Sequence, residues 1–223
     1  MDNFVKVFAS GTFVSSYYNS LIIAIASTTI SLLVGIPMAY GLSNRFTVKN
    51  RQGILLWILS TKMAPPMMVA IPFYMIFMVL HLRDSYIGMI LIYLIFNLSF
   101  AVWMLHGFID GIPKELEEAA RVDGAMRISA LFRIIVPMIK GGIAATGIIC
   151  FITSWNEFLM ALLLTSSSTK TVPVAITNFI TLTEGIRWGE IAAASVLVTI
   201  PVIVMGICVR KYLIAGMTMG AVK

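Results

Sequence analysis

The sequence predicts an all-α integral membrane protein that crosses the bilayer five times, and three observations indicate this fold class. Of its 223 residues, 59 % are apolar and only 12 % are charged, and the mean hydropathy is +0.95. Soluble domains carry about 25 % charged residues. Five apolar runs are long enough to cross a membrane, and no long stretch alternates apolar and polar residues as a strand would. We therefore expect one membrane domain over residues 1–223.

The five apolar runs are the predicted spanning helices. In chain order they occupy residues 17–42, 54–80, 86–109, 141–165 and 191–213. The second run differs from the others because it contains Ala64, Pro65 and Pro66, and a further proline at Pro72. Proline removes an internal backbone hydrogen bond, so we expect a broken helix here. In lipid the freed groups need protein neighbours or a water-lined cavity, which leaves two interpretations: a packing kink, or part of a transport pathway.

The segment between the fourth and fifth runs, residues 165–189, is too polar to cross a membrane. Its serine and threonine residues at 166–169 are typical of a loop. Residues 174–182 are predicted to form a short helix that lies at the outer surface or dips partly into the bilayer.

Lysines and arginines are concentrated in alternate gaps between the apolar runs, and they give a net charge of +6. Eleven of the sixteen lie in the gap after the first run, in the gap after the third run, or at and beyond the end of the fifth run. Because cytoplasmic loops carry an excess of Lys and Arg, residues 110–140 and the C-terminus are predicted to face the cytoplasm, and Met1 the outside. The basic residues form no single stripe with interleaved aromatic residues, which argues against a nucleic-acid partner.

The gap at residues 110–140 has the pattern of two short helices. Pro113 suits a first helical position, and acidic side chains suit the positive end of the helix dipole. Three of them follow Pro113: Glu115, Glu117 and Glu118. Gly124 is predicted to end this helix, because glycine adopts the left-handed conformation at little cost.

The second short helix of this loop is predicted over residues 126–136, and Pro137 is expected to end it. Helical spacing places an apolar stripe on one of its faces: Met126, Ala130, Leu131, Ile134 and Ile135. The stripe fits two interpretations. It lies on the membrane interface, or it docks into a groove on a partner protein.

The spacing within this loop resembles the "EAA" signature of ABC importer membrane subunits. Glu118-Ala119-Ala120 is followed after three residues by Gly124, and after nine more by Ile134; Val136-Pro137 comes one residue later. The only departure is Val136, where the family has Leu. Four other stretches resemble the carbohydrate-uptake branch of these permeases: "SWNEFLMALLLT", "TVPVAI", "WGEIAAASVLVTIPV" and "GMTMGAVK". Two more are most similar to the polyol and sugar-alcohol permeases within this branch: "TKMAPPMMVAIPFY" and "FNLSFAVWML".

This resemblance implies a translocation-pathway subunit of an ATP-driven importer for a sugar or a sugar alcohol. It implies as partners a second permease subunit, two cytoplasmic ATPase subunits and an extracytoplasmic solute-binding protein, in a bacterial or archaeal inner membrane. An importer of the same type for glycerol phosphate is an alternative. A stand-alone secondary transporter is another, although the sequence shows neither internal repeats nor many intramembrane charges.

The resemblance also assigns roles within the 110–140 loop, which then couples the permease to the ATPase. Glu118 makes a polar contact with the ATPase, the two alanines allow close approach, and Gly124 forms the turn. The implied coupling residues are Glu118, Ala119, Ala120, Gly124, Ile134 and Pro137. Family members usually begin with one further spanning helix. Either Met1 is a late start, or this subunit functions with five spans.

No catalytic or cofactor-binding pattern is present in the sequence. The motif G-x-x-x-x-G-K-[ST] is absent, so we expect ATP and Mg²⁺ to be bound by the partner ATPase and this chain to be no enzyme. His81 and His106 are far apart and favour structural roles. Cys150 and Cys208 lie inside apolar runs without metal-ligand spacing.

Polar and aromatic residues inside the spans are the candidates for contact with a solute, because burying them in a membrane is costly. The candidates are Asn97, Trp103, Trp155, Asn156 and Glu157. Sugars and polyols need hydrogen-bonding groups beside an aromatic surface. The alternative is polar packing between helices or subunits. Lys62, beside the proline break, would pair with a carboxylate or extend towards the membrane surface.

Overall fold

Helices form nearly all of the described chain, which confirms the predicted all-α class. The computed structural model describes residues 2–181 and 185–219. Its α-helices are α1 (Asp2–Ala9), α2 (Gly11–Gly41), α3 (Arg51–Ser60), α4 (Pro66–Val79), α5 (Tyr86–Asp110), α6 (Lys114–Val122), α7 (Arg127–Ala130), α8 (Val136–Met138), α9 (Lys140–Trp155), α10 (Leu159–Leu164), α11 (Val172–Ile176) and α12 (Trp188–Met219). Thr61–Met63 and Thr177–Phe179 are 3₁₀ turns, and Leu131–Ile135 is a π turn.

Three described helices are long and apolar enough to cross a membrane alone: α2, α5 and the part Trp188–Cys208 of α12. Two further candidates are helix pairs that bend sharply. Arg51–Met63 meets Pro66–Val79 at 89°, and Arg127–Met138 meets Lys140–Trp155 at 78°. If each bent pair is one span, the described residues contain five spans, the number predicted.

The break in the second span lies where the sequence predicts it. Pro65 has an extended backbone, with φ −58° and ψ 127°, and Pro66 is the first residue of α4. The missing N–H of a proline at the first helical position costs no hydrogen bond, because that N–H has no partner inside the helix. Pro72 lies within α4.

The fourth apolar run is interrupted, whereas the sequence predicts one continuous span over residues 141–165. Helix α9 ends at Trp155, and α10 starts a few residues later. The carboxylate of Glu157 explains the restart, because its oxygens accept hydrogen bonds from the backbone N–H groups of Met160 and Ala161 at 2.9 and 3.0 Å. Those N–H groups lie in the first turn of the new helix and have no acceptor within it.

The second helix of the 110–140 loop continues further than predicted. Pro137 does not end it, since α8 includes Pro137 and ends at Met138. The π turn directly before α8 explains the difference. The N–H of Val136 bonds to the carbonyl of Leu131, five residues earlier, so the carbonyls are paired in a shifted register. The missing N–H of Pro137 is thereby accommodated in a helical turn.

The predicted short helix at residues 174–182 forms only in part. Helix α11 is followed by the 3₁₀ turn and then by the two-residue strand β1, Ile180–Thr181. β1 pairs antiparallel with β2, Gly185–Ile186. Leu182, the last residue of the predicted helix, lies outside the described residues.

Packing divides the chain into two units, and α2, α5, α9 and α12 contribute residues to both. Unit 1 contains Met1–Ser27, Ala64–Leu94 and Phe151–Ile207; unit 2 contains Thr28–Met63, Ile95–Cys150 and Cys208–Lys223. The core of unit 1 includes Val7, Phe13, Val172, Phe179, Ala193 and Ala194 and a second cluster of Ala24, Phe151 and Trp155. The core of unit 2 includes Tyr40, Ala101, Leu105, Ile109, Leu131 and Ile135. The single domain over residues 1–223 stays a prediction.

Candidate functional site

The turn between α6 and α7 has the geometry that the sequence predicts for Gly124. This glycine has φ +87°, in the left-handed region that favours glycine. Its N–H donates to the carbonyl of Arg121 at 3.1 Å, and the N–H of Ala125 donates to the carbonyl of Ala120 at 2.9 Å. This pair of bonds is a Schellman motif, which satisfies carbonyls at the end of α6. A Cβ at Gly124 would meet no atom within 4 Å, so backbone conformation, not space, favours glycine here.

Large apolar side chains are exposed around this turn. The exposed fractions are 88 % for Val122, 80 % for Met126, 72 % for Ile128 and 57 % for Phe132. Glu118 and Ala119 are also exposed, and Ala120 is half-buried. Clustered apolar groups at a surface are typical of a protein or membrane contact. The turn therefore presents both apolar groups and a carboxylate to a partner.

Most of the predicted apolar stripe faces the protein's own core. Ala130, Leu131 and Ile135 are buried, Ile134 is half-buried, and only Met126 is exposed. Leu131 and Ile135 belong to the core of unit 2. Most of the stripe therefore neither lies on the membrane interface nor docks into a partner, since its main contacts are intramolecular.

A buried ion pair at the base of α6 was not found by sequence reasoning. Glu117 is 5 % exposed, and its Oε2 lies 2.8 Å from Nε of Arg45. The Tyr40 hydroxyl donates to Oε1 of Glu117 at 2.5 Å. The two terminal nitrogens of Arg45 donate to the carbonyls of Ile109 and Ile112, both at 2.9 Å. The end of α2, the end of α5 and the start of α6 are thus joined through one guanidinium group.

Two further interactions surround this ion pair. The Arg127 guanidinium lies 4.6 Å from the ring centroid of Phe46, and the Phe46 ring meets Tyr40 edge-on at 5.1 Å. A cavity of about 110 Å³ opens beside the pair and is lined by Asn44, Arg45, Lys114, Glu117, Glu118 and Arg121. Buried and exposed charged groups therefore meet at the base of the loop.

His106 takes part in a neighbouring network and has a structural position, as the sequence favours. Its Nε2 lies 3.5 Å from a carboxylate oxygen of Asp110 and 3.1 Å from the carbonyl of Leu42. Asp110 also accepts the N–H of Asn44 at 2.9 Å and lies 3.6 Å from Arg51. These contacts hold the connection after α2 against the end of α5.

The candidate solute residues of unit 1 occupy different environments. Trp155 is 1 % exposed, and its indole N–H donates to the carbonyl of Val198 at 3.0 Å. Glu157 is half-buried and also accepts the Tyr93 hydroxyl at 3.2 Å, in addition to its two backbone bonds. Asn156 is exposed. Only Asn156 of these three presents its side chain at the surface of the chain.

The two candidates of unit 2 also differ. Asn97 is 2 % exposed, and its amide nitrogen donates to the carbonyl of Cys150 at 3.3 Å. Trp103 is 44 % exposed. No group of three or more His, Cys, Asp or Glu side chains able to hold a metal ion lies within residues 2–181 and 185–219.

The loop after α10 is held by one carboxylate that sequence reasoning did not single out. Asp84 accepts the N–H groups of Ser166, Ser168 and Thr169 and the Thr169 hydroxyl, at 2.9 to 3.2 Å. Burial raises the pKa of Asp84, but these four hydrogen bonds outweigh it and lower the pKa to about 2. Asn19 donates to the carbonyls of Ser168 and Lys170 as well, so this loop is fixed at both sides.

Proteins of known function and structure resemble this chain over most of its length. It is 34 % identical over 226 residues to the "Trehalose/maltose transport system permease protein MalG" of Thermococcus litoralis, with 100 % of this chain and 81 % of that protein covered. It is 34 % identical over 206 residues to the "Diacetylchitobiose uptake system permease protein DasC" of Streptomyces coelicolor, with 92 % and 74 % covered.

A solved structure has the same fold. It is described as "a bacterial ABC transporter involved in the import of the acidic polysaccharide alginate", and one of its chains matches with a TM-score of 0.78 and 25 % identity, over 94 % of this chain and 78 % of that one. Residues 14–218 match the family described as "Binding-protein-dependent transport system inner membrane component", and the chain therefore belongs to this family of ABC transporter permeases.

Proposed function

We propose that this permease forms part of the pathway by which an ATP-driven importer takes up a sugar or a sugar alcohol. The observation that carries the proposal is the exposed turn between α6 and α7, which stands on the buried Arg45–Glu117 pair. An exposed turn with a rigid base can transmit the movement of a bound ATPase to α2 and α5 as a rigid body. The proposed coupling residues are Glu118, Ala119, Ala120, Gly124, Ile134 and Pro137.

Charge and shape support an ATPase as the partner of this turn. Glu118 is exposed and supplies a carboxylate, while Val122 and Met126 supply apolar groups that would be buried in a groove. The small side chain of exposed Ala119 permits close approach of another backbone. Ile134 and Pro137 act through the position of the turn, since Ile134 is half-buried in the helix that follows it.

Relatives support the solute class. The names of two of them refer to trehalose or maltose and to diacetylchitobiose, and the similar solved transporter imports alginate. All of these are glycosides. We therefore propose that this chain transports a polyhydroxylated solute. Asn156 and Trp103 are the proposed exposed contacts with the solute, and the proposed structural residues of the pathway are Asn97, Trp155 and Glu157.

The proposed assembly contains this chain, a second permease subunit, two cytoplasmic ATPase subunits that bind ATP and Mg²⁺, and an extracytoplasmic solute-binding protein. In this proposal the 110–140 loop and the C-terminus lie in the cytoplasm, where the ATPase binds. The excess of Lys and Arg in alternate gaps between the apolar runs supports this orientation.

Coexpression of the four components tests the coupling assignment. Glu118→Ala is expected to lower ATPase copurification and ATP-driven uptake into proteoliposomes at least tenfold, because it removes the polar contact. Glu115→Ala is the matched control, since Glu115 is also an exposed carboxylate on α6. If Glu118→Ala retains both copurification and uptake at the level of Glu115→Ala, the coupling assignment is wrong.

A further inference from the structure

Lys62 is a charged residue in the middle of the second span. It lies in the 3₁₀ turn Thr61–Met63, where the bent pair changes direction by 89°. At 1.5 Å per residue from Arg51, it lies roughly 16 Å along the span, and a hydrocarbon layer is about 30 Å thick. A charge at that depth normally faces a partner group or a water-filled cavity.

No described carboxylate forms an ion pair with Lys62, which is half-buried. The intramembrane carboxylate Glu157 already accepts three hydrogen bonds. Extension of the ammonium towards the membrane surface at Arg51 is also unfavourable, because roughly 16 Å of helix separates the two residues.

The backbone beside Lys62 is exposed as well as irregular. Met63 is 80 % exposed, and Ala64, Pro65 and Pro66 are exposed too. Non-helical backbone at membrane depth occurs where it is buried in protein or lines water. Since the described part of the chain does not bury this backbone, the break borders either a water-filled pathway or another subunit.

Hydroxyl and aromatic groups lie next to this break. The hydroxyls of Thr61 and Ser99 are 2.8 Å apart, and both residues line a cavity of about 110 Å³. Trp57 lines the same cavity, is 71 % exposed and precedes Thr61 by one helical turn. Two hydroxyls and an indole ring of unit 2 therefore lie at this cavity, and Lys62 directly follows Thr61 in the chain.

We propose that Lys62 contacts the transported solute, and that its ammonium donates hydrogen bonds to hydroxyl and ring oxygens of a polyhydroxylated molecule at the break. An ammonium has three N–H donors and no acceptor, so it complements oxygen-rich groups. Thr61 and Ser99 then hydrogen-bond neighbouring hydroxyls, and Trp57 covers the apolar face of a sugar ring. This inference rests on the proposed import function.

Transport by the complete importer tests the inference. Proteoliposomes containing all subunits and ATP are supplied with radiolabelled trehalose, diacetylchitobiose, mannitol or galacturonic acid, together with the solute-binding protein. Lys62→Met is expected to raise KM for the transported probe at least tenfold, and Lys62→Gln, which keeps an N–H donor, at most threefold. Lys49→Met is the control, because it makes the same change at an exposed residue outside the spans.

A second measurement, of thiol accessibility, tests the position of Lys62 in case Lys62→Met prevents assembly of the importer. Lys62→Cys in a background without Cys150 and Cys208 is expected to react with a charged, water-soluble thiol reagent, and the transported probe should slow that reaction. Absent labelling, or an unchanged KM in Lys62→Met, overturns the proposal. Loss of the second permease subunit from Lys62→Met also overturns it, because a carboxylate of that subunit is then the partner. If the unaltered importer transports none of the four probes, the proposed function fails instead.

Discussion

The buried ion pair at the base of the loop gives the sharpest test of how α6 is held. Glu117→Ala leaves the Arg45 guanidinium, whose side chain is 3 % exposed, without its carboxylate. Removing one partner of a buried pair costs about 3–5 kcal/mol. Arg45 keeps its bonds to the carbonyls of Ile109 and Ile112, so we expect the lower end, about 3 kcal/mol. For a chain of this size that lowers the melting temperature by about 6–12 °C.

Thermal unfolding of the purified permease in detergent measures this effect. Glu117→Gln preserves the shape and an acceptor for the Tyr40 hydroxyl but removes the charge, so a loss of about 1.5 kcal/mol is expected. Glu115→Ala is the control and should change stability by less than about 0.5 kcal/mol, because Glu115 is exposed. If Glu117→Ala and Glu115→Ala unfold at the same temperature, the ion pair does not anchor α6. ATPase copurification should fall with Glu117→Ala even though its side chain faces inward.

Two other changes have defined outcomes. Gly124→Ala should lower the free energy of unfolding by about 1 kcal/mol, because a left-handed backbone disfavours a Cβ, and Gly124→Asn should lower it less. Equal ATP-coupled uptake for the two variants would contradict the role of the left-handed turn. Asp84→Asn should destabilise the loop at residues 166–169 by about 1 kcal/mol at pH 7, because an amide accepts weaker hydrogen bonds than a carboxylate. Since the folded pKa of Asp84 lies below its ordinary value, its contribution is present above about pH 4 and is lost as pH falls towards 2. Melting temperatures of the native protein should show this fall, and those of Asp84→Asn should not.

Hydrophobic periodicity and the chemistry of proline and glycine predicted those structural elements that are determined by residues close to each other in the sequence. The three long apolar helices, the break before Pro66 and the left-handed turn at Gly124 all follow from local rules about apolar length, missing N–H groups and permitted backbone angles. The interruption of the fourth run was missed for a physical reason. Glu157 starts a separate helix by accepting the N–H groups of Met160 and Ala161, whereas apolar length alone predicts one continuous helix.

The partners of the buried polar groups could not be predicted, because they are distant in sequence. Nothing local separates Glu117 from Glu118, since both are glutamates in the early turns of α6. Arg45 and Tyr40, more than seventy residues earlier, decide that Glu117 turns inward. The same holds for Asp84, whose acceptor role becomes visible only when residues 166–169 fold back onto it.

The adjacent pair Glu117 and Glu118 links these local and distant effects. Successive residues of a helix point about 100° apart, so one carboxylate can be buried while its neighbour is exposed. Glu117 is fixed by Arg45, and that contact also fixes the direction in which Glu118 points. The proposed ATPase contact therefore depends on a residue that never touches the ATPase. Glu118→Ala should abolish coupling to the ATPase with little change in the melting temperature of the permease. Glu117→Ala should abolish coupling and also lower the melting temperature strongly. This difference distinguishes a residue that contacts the ATPase from one that only holds α6 in position.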